Sequence, residues 1–109
     1  MSNDAPLGTF EEHVMLAVLR TGTQAYGMEV RREVERVTGR NVSIGAVYAT
    51  LDRLEAKGLV DSGRARRQGS RRVFGVTSRG AEALVESRVM REKLWQGVVL
   101  DRLLPDVGG

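Results

Sequence analysis

A chain of 109 residues with a formal net charge of +3, no cysteine and a single histidine is bounded before any pattern is read. Its length fits one small domain, burying roughly 65% of the unfolded surface. The composition excludes disulfides, thiolate metal sites, a cysteine nucleophile and clustered histidine ligands; no apolar run is long enough to span a bilayer, and the basic-then-apolar signature of a signal peptide is absent, so a soluble cytoplasmic protein without a cofactor or metal is expected.

In chain order, residues 1–7 read as a flexible N-terminal arm. Thr9 and Glu12 have the spacing of a capping box. They lead into a first helix over about Phe10 to Arg20, with Phe10, Val14, Ala17 and Val18 on one face and Met15, Leu16 and Leu19 widening it. His13 is read as a surface or boundary residue, since no partner acid or nucleophile is placed near it by the pattern. Thr21-Gly22-Thr23 ends this helix. A second helix, about Tyr26 to Thr38, has a weaker apolar stripe of Met28, Val30, Val34 and Val37, an Arg31–Glu35 pair at i,i+4 spacing, and a closing Gly39. A third begins at Ser43, whose hydroxyl can cap the first turn. Ile44, Val47, Leu51 and Leu54 form its buried stripe, Tyr48, Thr50, Arg53 and Lys57 its other face, and Gly58 its left-handed end. Two helices joined by a short glycine-containing turn, the second with a polar outer face, make a helix-turn-helix.

A hairpin follows. Leu59 and Val60 start one strand, Val73, Phe74 and Val76 form the return, and Gly69-Ser70 supplies the turn; Val42 is a candidate third strand. The tip carries Arg64, Arg66, Arg67, Arg71 and Arg72. From Lys57 to Arg79 seven basic residues face one acid, Asp61, a local balance of +6, which leaves −3 for the rest of the chain. A polar helix face beside a cationic hairpin suits DNA, with the helix in the major groove and the hairpin on phosphate. The fold class read from this pattern is mainly α with a small β-hairpin, a winged helix-turn-helix domain over residues 8–77.

The candidate DNA-binding residues are Ser43, Gly45, Tyr48, Thr50, Arg53, Arg66, Arg67, Arg71 and Arg72. Ser43 caps its helix. Gly45 lets the backbone approach phosphate, or else permits tight helix packing. The hydroxyls of Tyr48 and Thr50 can bond phosphate or a base edge, with half-buried packing the rival for Tyr48. Arg53 reaches phosphate or pairs with a nearby acid. The wing arginines Arg66, Arg67, Arg71 and Arg72 suit phosphate or the minor groove through their planar, permanently charged fork.

The last helix is predicted over about Arg79 to Leu104, capped by Thr77 or Ser78, with residues 105–109 as a tail. Its length of about 39 Å at 1.5 Å per residue exceeds what an ~80-residue domain can cover. Its far half, with Val89, Leu94, Trp95, Val98 and Val99, is therefore expected to pair with the same helix of a second copy, making residues 78–104 a C-terminal dimerisation helix; the alternative is that it folds back on its own domain. Trp95, the single tryptophan, is read chiefly as an interface anchor.

Five stretches together resemble the PadR family of transcriptional regulators, across Leu7 to about Leu104. They are Leu7-Gly8 with Glu12 and the following apolar run; Tyr26-Gly27-Met28-Glu29-Val30; Ser43-Ile44-Gly45-Ala46-Val47-Tyr48; Leu51-Asp52-Arg53-Leu54-Glu55-Ala56-Lys57-Gly58-Leu59-Val60; and the arginine-rich wing into Val76-Thr77-Ser78-Arg79-Gly80. The short C-terminal part resembles the small subgroup with one dimerising helix. The resemblance implies a homodimeric repressor whose recognition helix and wing engage a pseudo-palindromic operator, and it favours DNA contact for Tyr48. It also raises a pocket at Trp95 for a small planar apolar effector. Ala49 departs from the proline common after the tyrosine, and Phe74-Gly75 from a common aromatic pair; glycine there weakens the strand. The alternative is a protein-interaction or ligand-sensing module that has kept the fold without a specific operator. An enzyme is not expected, because no nucleophile, base or phosphate-loop constellation is present.

Overall fold

A computed structural model describes residues 6–62 and 71–104. The elements run α1 (Thr9–Thr21), a 3-10 turn (Gly22–Gln24), α2 (Gly27–Thr38), α3 (Ile44–Ala56), β1 (Val60–Asp61), β2 (Gly75–Val76) and α4 (Ser78–Trp95). The predicted arginines Arg64, Arg66 and Arg67 and the Gly69-Ser70 turn lie outside the described residues, as do most of the N-terminal arm and the tail.

The three first helices close around one core because each supplies a short apolar stripe at helical spacing. Val14, Met15 and Val18 of α1 meet Val30 and Val34 of α2 and Val47, Leu51 and Leu54 of α3; Val60 and Phe74 of the hairpin complete it. β1 and β2 pair antiparallel, Val60 opposite Val76 and Asp61 opposite Gly75. The third strand is not at Val42. Tyr26 bridges Val73, and the Phe74 N–H donates to the Ala25 carbonyl at 2.9 Å. Val42 is held elsewhere, its carbonyl accepting from Arg31 Nε and its N–H donating to Glu35.

Other expectations shift by local chemistry. The cap of α1 is Gly8, one residue early: its N–H donates to Glu11 Oε1 at 2.9 Å, so Glu11 rather than Glu12 folds back. Leu16, Leu19, Met28 and Val37 are exposed, so the apolar faces of α1 and α2 are wider than what the chain itself covers. α3 forms as read. Ser43 Oγ accepts from the Ala46 N–H at 3.0 Å. Gly58 takes φ +79°, with the Leu59 N–H returning to the Leu54 carbonyl and the Gly58 N–H to Glu55, the paired bonds of a Schellman end.

The largest correction concerns α4. It ends at Trp95, not near Leu104. Gln96 leaves helical geometry and Gly97 takes φ +78°. The following Val98-Val99 are β-branched and poor at resuming a helix. Thr77 fixes the other end, accepting from the Gly80 N–H at 3.0 Å and donating its hydroxyl to the Gly58 carbonyl at 2.7 Å. Arg91 reaches Glu12 at 3.1 Å and ties α4 to α1. The molecule extends 55 × 36 × 21 Å. Among the described residues no helix is long and apolar enough to cross a membrane.

Candidate nucleic-acid interface

The outer face of α3 is built by what the core stripe leaves over. With Val47, Thr50, Leu51 and Leu54 turned inward, Gly45, Ala46, Tyr48, Ala49, Asp52 and Arg53 face outward. Thr50 is therefore a correction: it is 2% exposed, and its hydroxyl accepts from Arg53 Nη2 at 3.3 Å. It shapes Arg53 from beneath rather than presenting a group to solvent. Ser43 keeps its capping role at the exposed start of α3.

Tyr48 is 38% exposed, and its ring lies on the backbone of Gly27 at the start of α2. A Cβ at Gly27 would stand 2.4 Å from Tyr48 Cζ, so glycine is what lets the ring settle there. The ring is thus half-packed against Gly27, with part of its surface left exposed. Gly45 resolves more simply. Nothing lies within 4 Å of where its Cβ would be, so packing among the described residues does not require glycine.

Charge on this face is held rather than loose. Arg53 and Lys57 converge on Glu11, at 3.6 and 2.9 Å. Glu11 is 8% exposed. Burial works against its charge, but the Gly8 N–H, the Lys57 ammonium and Arg53 outweigh it and leave its pKa below the ordinary carboxylate value. The sequence left Arg53 between phosphate and acid; in the free protein it sits over Glu11. Two wing cations are described. Arg71 is exposed and stacks on Tyr26, 3.9 Å from the ring centroid, a contact of about 0.5–1 kcal/mol at such sites. Arg72 points back toward α3 and bonds Glu55 at 2.7 Å and Asp52 at 3.3 Å.

Glu11, Glu55, Ser62 and Tyr26, which hold the cations of this face from beneath, were missed by sequence reasoning. Their signal is spatial: Glu11 meets Lys57 across 46 residues of chain. The predicted interface residues Val89, Leu94 and Trp95 are exposed on α4, and Val98 and Val99 are exposed beyond it, at 44, 73, 56, 48 and 72%.

The fold is shared with solved structures at low identity. The complex structure hsRosR-SG superposes with a TM-score of 0.73 at 23% identity, covering 96% of this chain and 90% of that one. RosR of H. salinarum grown from NaBr gives 0.70 at 23%, covering 92% and 87%. No curated protein matches the chain. The sequence pattern of the transcriptional regulator PadR-like family, in contrast, matches residues 15–86, from the middle of α1 through the wing and into α4. Because that match spans well over half of the chain, the chain belongs to the PadR-like family of transcriptional regulators, DNA-binding proteins rather than enzymes.

Proposed function

We propose that this regulator is a cytoplasmic homodimeric repressor that binds a pseudo-palindromic operator through residues 8–77. In this reading α3 enters the major groove. Gly45 and Tyr48 approach the backbone or base edges, Arg53 reaches phosphate, and the wing grips phosphate through Arg66, Arg67 and Arg71. The observation that carries it is the outer face of α3: open at Gly45, half-open at Tyr48 and flanked by Arg71 at the wing base. α4 and residues 96–104 form the dimer arm, supported by their row of exposed apolar side chains. A planar apolar effector between the two copies of Trp95 would act by changing the separation of the recognition helices.

The test is fluorescence-anisotropy binding to the DNA upstream of the protein's own gene, with a scrambled duplex as control, over a salt series. A specific regulator binds the upstream duplex much more tightly, with log Kd rising by about 0.9 per phosphate contact for each tenfold rise in salt. Equal weak binding to both duplexes would exclude that operator, and no binding at low salt would exclude the α3–wing assignment. A promoter-reporter assay then decides repression against activation.

A further inference from the structure

The wing leaves α3 and comes back to it, and both legs end on one carboxylate. On the outgoing leg, the Ser62 N–H donates to Glu55 Oε2 at 3.2 Å and its hydroxyl lies 3.0–3.1 Å from both Glu55 oxygens. On the returning leg, Arg72 Nη2 donates to Glu55 Oε1 at 2.7 Å. The same guanidinium closes the loop by donating to Ser62 Oγ from Nε and Nη2, at 3.2 and 3.0 Å, and to Asp52 Oδ1 from Nη1 at 3.3 Å. Its flat face lies 4.8 Å from the Phe74 ring centroid, and Phe74 is core. The planar fork is thus occupied on its edges and packed on one side, a geometry lysine cannot reproduce.

We infer that Glu55 and Arg72 are positioning residues: Glu55 is the anchor that sets the wing against the recognition helix, and Arg72 is an internal tie rather than a phosphate ligand. The two roles open to Glu55 change DNA affinity in opposite directions. A carboxylate on the DNA-facing helix repels phosphate, so if wing and helix acted independently, removing Glu55 would strengthen binding. If Glu55 holds the wing in register with α3, removing it weakens binding although a negative charge is lost. Arg72 is committed to two acids and a hydroxyl, so deleting it misplaces the wing without removing a phosphate contact. The inference rests on the DNA-binding reading for its affinity readout but not for its structural one.

The experiment compares the full-length protein with Glu55→Ala, Glu55→Gln, Arg72→Ala, Arg72→Lys, the Glu55→Ala/Arg72→Ala double variant and Arg71→Ala. Each is titrated with the upstream and scrambled duplexes over a salt series, alongside hydrogen exchange at residues 60–62 and 73–76. Glu55→Ala is expected to weaken upstream binding on the order of tenfold. Arg72→Ala and Arg72→Lys should do the same with an unchanged salt slope, whereas Arg71→Ala should lower that slope by about one contact. The double variant should match either single one, because the two residues act as a unit. Glu55→Gln, which is close in shape and guards against a folding defect, should fall between. Tighter binding by both Glu55 variants, or a slope lowered by about 0.9 in Arg72→Ala, would overturn the assignment. If the wild type binds neither duplex, the DNA-binding reading fails separately. The tie is then decided by exchange alone: faster exchange in Glu55→Ala supports it, and unchanged exchange sinks it.

Discussion

A methyl group on Gly27 would press into the Tyr48 ring at 2.4–2.6 Å, whereas one on Gly45 would meet nothing within 4 Å. The two glycines therefore predict different outcomes for the same substitution. Gly45→Ala should leave stability unchanged or raise it by up to about 1 kcal/mol, since alanine is the better helix former, yet weaken DNA binding if the bare backbone is what approaches phosphate. Thermal melts paired with anisotropy read both; unchanged binding would remove Gly45 from the interface. In Gly27→Ala the crowding atoms are the far end of a side chain, so the protein should fold and the Tyr48 ring should shift. Tyr48→Phe keeps the ring and deletes the hydroxyl. If the hydroxyl contacts DNA, both variants lose affinity; if only Gly27→Ala does, the ring is a spacer and the hydroxyl is idle.

At the scale of elements, the joints between helices are held by specific pairs, and these fail in characteristic ways. Glu33 of α2 accepts from Arg36 at 2.6 Å and from Arg20 of α1 at 2.6 Å, which together hold its pKa down to about 2. A lowered folded-state value means this clamp stabilises fully above the ordinary 4.5 and is lost as pH falls toward about 2. Glu33→Gln should flatten the acid limb of a melting-temperature profile in that window and change little near neutrality; an unaltered acid limb would show the clamp to be inert. The joint between α4 and the hairpin is tighter. A Cβ at Gly80 would fall 2.1 Å from the Leu59 carbonyl oxygen, which is backbone and cannot turn aside. Gly80→Ala should therefore cost about 1–3 kcal/mol instead of gaining helix propensity, seen as a lowered melting temperature. The sequence showed α3 best, because its cap, stripe and left-handed end are local signals within one helix. It shows α4 less well, because the apolar periodicity runs on past Gly97 while the helix itself ends at Trp95. The strand partner at Tyr26 and the acid partners of Lys57 and Arg72 were illegible for another reason. They are contacts between distant segments, and composition records charge without recording what it meets.

At the scale of the whole molecule, the exposed apolar side chains of α4 and the segment after it set up a prediction that one native probe can read. Val85, Val89, Met90, Leu94 and Trp95 are 44–73% exposed on an 18-residue helix, and Val98, Val99 and Leu103 beyond its end are 48–77% exposed. If a second copy covers this row, two recognition helices are brought to a fixed separation, which an operator matches with half-sites about 34 Å or a multiple apart. Each half-site then raises the effective concentration of the protein at the other. Trp95 is the chain's sole tryptophan, so its emission reports this surface alone. On dilution through the dissociation range, the spectrum should move to longer wavelength as the indole enters water, in step with sedimentation from dimer to monomer. Leu94→Asp, which places a charge in the row, should give the monomer's spectrum and mass at all concentrations, retain helical circular dichroism and bind DNA more weakly with a shallower salt slope. A planar apolar compound seated between the two indoles would quench the dimer's emission and leave that of the Leu94→Asp monomer unchanged. Water-like emission from the wild type at every concentration, with a monomer's sedimentation, would rule out both the dimer arm and the pocket it would form.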